Sequence, residues 1–191
     1  MEFPMTIGGE EVNSLKELKA LAEDNVEAMT VLIDAYWNGD GVPQDFKKVF
    51  ALCEKAVALN DTQAMIDLGF MYRKGMACEV DLLKCEELTL RAHELGDPEA
   101  KHVLAEFYIY GMGPVKQDLL KGLKFAYDSI ISEEGDDEIA SWFGGEESFM
   151  EIYEAIKEGL VDENSLNMIA IKLRQDQPEE YRIHEPAGLY D

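Results

Sequence analysis

Positive charge is scarce in this chain. Seventeen lysines and arginines stand against 40 aspartates and glutamates, a formal net charge of −23 over 191 residues. Such a surface repels phosphate backbones and anionic lipid headgroups, so neither nucleic acid nor membrane is an expected partner. A protein, and a basic one, is the partner class that this field attracts. Cysteine is also rare. Cys53, Cys78 and Cys85 cannot all pair within one chain, and no usual zinc spacing links them. Reduced thiols are expected, with Cys53 and Cys85 as small apolar fillers on helix faces. No stretch approaches the length of a membrane span. Residues 1–10 hold neither a basic region nor an apolar run, so no signal peptide and a cytoplasmic location are expected.

The motifs of common chemistries are missing too. There is no Gly-rich phosphate loop, no Gly-x-Ser-x-Gly elbow and no His-Glu-x-x-His, and His93, His102 and His184 lack neighbours at metal-ligand spacing. The expectation is a protein that performs no catalysis and takes no cofactor or metal.

What the chain does hold is a period. Ala28, Ala64 and Ala100 fall 36 residues apart, as do Leu32, Leu68 and Leu104, then Tyr36, Tyr72 and Tyr108, then Gly39, Gly75 and Gly111. A fixed period of this length marks a stacked repeat array, in which each unit buries its apolar face on the next. Asn25, Asp61 and Asp97 precede each Ala by three residues, where a side-chain oxygen caps the first free amides of a helix. The glycine eleven residues after the Ala ends that helix, because glycine enters the left-handed region at little cost. A second helix then starts at Asp45, Asp81 and Asp118, with Phe46, Leu82 and Leu119 as its first inward column.

Residues 1–12 read as a loose lead-in, and Ser14 with Glu17 forms a capping box for a first helix over 13–22. The expected order is a lead-in and capping helix over 1–24, then three repeats over 25–60, 61–96 and 97–132. A shortened fourth repeat with capping helices follows over 133–175, the last two at 146–158 and 163–174, and an irregular tail over 176–191. The fold class is all-α: a right-handed α-solenoid of helix-turn-helix repeats with a divergent helical C-terminal cap.

The repeat resembles the Sel1-like repeat (SLR) family, a relative of the tetratricopeptide repeat. The resemblance rests on Gly39-Asp-Gly41-Val-Pro-Gln-Asp45-Phe-Lys-Lys48 after Ala28, Leu32 and Tyr36, and on the second and third copies of the same columns. Two departures stand out. Ala77 replaces the loop glycine seen as Gly41, and Val49, Cys85 and Gly122 replace an alanine near the start of the second helix. The resemblance implies an adaptor that holds partners in complexes; separately, a monomer or weak dimer is expected when the chain is free.

Two candidate surfaces follow. With 100° per residue, the side of each first helix opposite the Ala column carries Ile33 and Trp37, then Ile66, Phe70 and Arg73, then His102 and Ile109. In tetratricopeptide-like stacks this side lines the concave groove, and a contiguous apolar stripe with Trp and Arg marks a partner site. The second surface is residues 133–163, with 12 acids and one lysine, among them Glu133, Glu134, Asp136, Asp137, Glu138, Glu146 and Glu147. That patch would steer a basic partner. Two functions compete: an adaptor gripping a peptide or helix in the groove, and an acidic inhibitor or immunity-type protein neutralising a basic effector such as a nuclease.

Overall fold

A computed structural model describes residues 1–112, 117–130, 140–141, 143, 145–162, 164–165 and 168–169. The chain divides into two compact units, Met1–Leu95 and Gly96–Asp191.

The first unit begins with a feature that periodicity did not suggest. Instead of a loose lead-in, β1 (Met5–Ile7) and β2 (Glu10–Val12) form an antiparallel hairpin, with Met5 opposite Val12 and Ile7 opposite Glu10. Gly8 and Gly9 make the turn at φ 58° and 87°, the left-handed values a two-residue hairpin loop requires. Four helices and a short fifth follow. They are α1 (Leu15–Leu21), α2 (Val26–Asn38), α3 (Phe46–Ala58), α4 (Thr62–Lys74) and α5 (Leu82–Glu94). Ile7 and Val12 of the hairpin share one apolar cluster with Leu18, Ala28, Leu32, Val49 and Leu68. Two polar contacts tie the hairpin segment to both ends of α2: the Gly8 amide donates to Glu27 at 2.8 Å, and the Met1 amine pairs with Asp40.

In the second unit, α6 (Glu99–Tyr110), α7 (Leu119–Ile130) and α8 (Glu146–Lys157) surround Leu104, Phe107, Ile109, Leu123 and Phe149, all 0–1% exposed. Tyr127 of α7 stacks on Tyr153 of α8 at 4.5 Å. The expected fourth-repeat start at Asp136 and Ile139, the residues of the 163–174 helix other than 164, 165, 168 and 169, and the tail lie outside the described residues.

The helix boundaries have local causes. Asn25, Asp61 and Asp97 each accept from the amide three residues on, at 2.9, 2.7 and 3.2 Å. Asp45, Asp81 and Asp118 do the same for the second helices, at 3.2, 3.0 and 3.0 Å. Each satisfies a donor that the helix cannot satisfy itself. Gly39, Gly75 and Gly111 close the first helices at φ 75°, 66° and 64°. The turns that follow close alike, with Asp45 N on Tyr36 O at 3.0 Å, Asp81 N on Tyr72 O at 3.0 Å and Asp118 N on Tyr108 O at 2.9 Å. The longer third loop leaves that bond in place.

Candidate partner-binding face

The helix pair of a repeat meets where its side chains are small. A Cβ added at Gly69 of α4 would lie 3.5 Å from Cys85 Sγ and 3.7 Å from Thr89 Oγ1 of α5. In the second unit the small residue sits on the other helix, where a Cβ at Gly122 of α7 would stand 2.7 Å from both Ile109 N and Ile109 Cγ1. The departures from alanine at positions 85 and 122 are thus matched to the residue across the crossing. Above each crossing a lysine of the second helix lies over the tyrosine of the first. Lys48 is 4.7 Å from the Tyr36 ring, Lys84 4.8 Å from Tyr72 and Lys121 3.8 Å from Tyr108. In each the ammonium is drawn to the negative face of the ring. Lys84 Nζ also donates to the Tyr72 hydroxyl at 3.2 Å, which raises the lysine's pKa, and Asp45 does the same for Lys48. The Lys column was visible in the aligned repeats, but its role was not, because periodicity says nothing about what a side chain touches.

These contacts explain where the proposed groove residues lie. Ile33 and Ile66 are 4% and 7% exposed, Arg73 is 7% exposed, and Ile109 of the second unit is fully buried. Ile33 belongs to the cluster that the hairpin's Ile7 and Val12 join, and Ile109 lies against Gly122 of α7. Their apolar character therefore has a packing cause. His102 is half-buried. What remains on the surface is an aromatic group on the first unit. Half-buried Trp37 meets Phe46 edge-on at 5.7 Å and Phe70 at 6.0 Å, tilted by 50°. Phe70 is 41% exposed, and Lys74 Nζ lies 5.8 Å from its ring. Apolar floor, open ring and neighbouring cation form a place for an incoming side chain to insert.

The acidic surface is described only in part. Glu146 opens α8 and Glu147 is exposed in its first turn, while residues 131–139, with Glu133, Glu134, Asp136, Asp137 and Glu138, lie outside the described residues. The cysteines form no disulfide: Cys53 and Cys85 are buried, and burial pushes the Cys53 thiol up to about 12. Among the described residues no group of three or more His, Cys, Asp or Glu is placed to hold a metal ion, and no helix is long and apolar enough to cross a membrane.

Comparison with known proteins places this geometry. The Sel1 repeat model matches residues 28–61, 62–97 and 98–127, more than half of the chain. The chain belongs to the Sel1 repeat family. Two solved structures share the Sel1 fold. One is a Sel1 repeat protein from Oxalobacter formigenes, with TM-score 0.60 and 24% identity over 84% of this chain and 63% of that one. The other is a protective antigen present in uropathogenic Escherichia coli strains that displays an SLR fold, with TM-score 0.57 and 20% identity. It is covered over 42% of its length by 86% of this chain. This chain thus spans less than two thirds of either structure. No curated protein matches it by sequence. Sel1 repeats are in general protein–protein interaction modules, and proteins built of them are in general non-enzymatic scaffolds.

Proposed function

We propose that this Sel1 repeat chain is a non-enzymatic adaptor that binds a protein partner on the first unit, where Trp37 and Phe70 meet. The observation that carries the reading is the exposed Phe70 ring set against half-buried Trp37. An aromatic side chain left 41% exposed next to a tryptophan matches the composition of interface hot spots. Ile33 and Ile66 are buried within the first unit, and the partner reads Phe70 and the open edge of Trp37. Arg73, 7% exposed on the same helix as Phe70, is not among the first residues touched. The partner is a protein segment with an apolar anchor, and the net charge of −23 favours a basic one.

The same charge supports a second reading, an acidic inhibitor that covers a basic effector. One capture experiment separates the two. Tagged protein is incubated with native lysate and washed at low and high salt, with wild type beside Phe70→Ala. An adaptor keeps its partner in salt and loses it on Phe70→Ala. An inhibitor releases its partner as salt rises, because exposed charge attraction is screened, and is indifferent to Phe70. A partner retained by both proteins at both salts would contradict both readings.

A further inference from the structure

The segment ahead of the hairpin turn lies on α2 as a strap. Burial alternates along it: Met1, Phe3, Met5 and Ile7 are half-buried or buried, and Glu2, Pro4 and Thr6 are exposed. That is the period of an extended chain with one face on a core. Met1, Phe3 and Met5 pack on the apolar cluster that holds Ile7, Ala28, Leu32 and Tyr36. The two ends of the strap meet the two ends of α2. Gly8 donates to Glu27 in the first turn at 2.8 Å, and Met1 lies against Gly41, just past the last. Seven extended residues reach about 23 Å, and the thirteen of α2 rise about 20 Å. The strap therefore runs the length of the helix.

Side chains do most of the holding. β1 pairs only with the three residues of β2, and Glu2, Phe3 and Pro4 form no hydrogen bond among the described residues. A two-stranded hairpin is marginal in water by itself, so the strap stays down through its apolar face. Gly41 makes room for it, since a Cβ there would stand 2.8 Å from Met1 Cβ and 3.4 Å from Met1 N. Ala77, the same position in the second repeat, tolerates φ 63° against 70° at Gly41. The left-handed turn alone thus admits an alanine, and at position 41 the missing Cβ is what admits Met1. The loop that the strap meets is also the loop that holds Trp37. Gln44 Nε2 donates to the Trp37 carbonyl at 2.7 Å, and Phe46 meets the Trp37 ring edge-on at 5.7 Å. Val42, between Gly41 and Gln44, is buried.

We propose that the Met1–Ile7 strap is a latch on the partner face. Docked on α2, it fixes residues 39–45 and so holds Trp37 between Phe46 and Phe70 in the geometry that a partner meets. Lifted, it frees that loop, and the face loses the preorganisation that keeps the cost of binding low. The consequence for binding rests on the reading of Trp37 and Phe70 as the partner site. The coupling from strap to Trp37 does not, and it is measured without a partner.

The test uses the full chain and the indole N–H signals of its two tryptophans in NMR spectra, Trp37 being assigned by its loss in Trp37→Phe. Phe3→Ser removes an apolar anchor of the strap, and Gly41→Ala pushes Met1 away from the loop. Each should speed amide exchange in β1, shift the Trp37 signal and speed exchange at Gln44 and Phe46 at least ten-fold, as local opening does. Glu2→Gln, on the exposed side of the strap, should match wild type in all three. Faster exchange in β1 with Trp37 and the loop unchanged would overturn the proposal. So would a strap that neither variant lifts, or an equal response to Glu2→Gln. A partner lost on Phe70→Ala but held at full affinity by Phe3→Ser would overturn the latch and leave the partner site standing.

Discussion

The first and second repeats share one frame and fill it differently. At the crossing column the first repeat places Ile33 and the second Gly69, facing second-helix residues Val49 and Cys85 in the same register. Over the column tyrosine the second repeat places Phe50 edge-on, and the first places Lys19 beside Lys48. In the loop the first repeat takes its left-handed turn with Gly41 at φ 70°, and the second forces Ala77 to φ 63°. Caps, glycine terminators and the turn bond to the tyrosine carbonyl are common to both. The frame is therefore set by backbone satisfaction, and the side chains between those fixed points are free to be filled or left open. The candidate site at Trp37 and Phe70 lies at such a free point.

Swapping contents between the repeats breaks this comparison in graded steps. The largest effect is expected from Gly69→Ile, which places the first repeat's residue where Cys85 and Thr89 already lie within 3.7 Å of a Cβ. Overpacking of this kind costs about 2–3 kcal/mol, read as a lower urea midpoint. Gly69→Ala is the control: its Cβ makes ordinary contact at 3.5 Å, and relief of a helical glycine should raise stability by about 0.5–1 kcal/mol.

Phe50→Ala comes next and removes the ring that meets Tyr72 edge-on. Truncating a half-buried ring should cost about 2 kcal/mol, below the range for fully buried ones, with no loss of helix by circular dichroism. The loop swaps are smaller. Ala77→Gly relieves a left-handed alanine and should stabilise by about 0.5–1 kcal/mol. Gly41→Ala should destabilise by about 1–2 kcal/mol, since its Cβ would also meet that of Met1 at 2.8 Å. If both loop changes proved neutral, the left-handed conformation would not be what sets the stability of these two turns. The smallest effect is one of rate. Cys78, half-buried, should react first with a thiol reagent at pH 8, and buried Cys53 and Cys85 only as the unit opens. For Cys53 burial pushes the thiol up to about 12, so the reactive thiolate is suppressed at that pH. Early labelling of Cys85 would show the α4–α5 crossing to be the looser of the two.

Much of the frame was legible because it obeys local rules. Asn25, Asp61, Asp97 and the three terminating glycines carry their structural meaning within four residues of chain, so the period exposes them. The hairpin at Met5–Val12 was not legible, as three-residue strands carry too little alternation to register. The groove residues were misjudged on a different ground. An angle around a helix gives direction but not what stands there, and Ile33 and Ile109 point at neighbours supplied by the hairpin and by Gly122. Phe70 stays 41% exposed, with Trp37 at 6.0 Å on one side.

The most direct test of partner binding at Trp37 and Phe70 is calorimetric titration of the captured partner into wild type and Phe70→Ala. A loss of at least ten-fold in affinity, about 1.4 kcal/mol, with an unchanged melting temperature is the expected result. Equal affinity for the two proteins would contradict it.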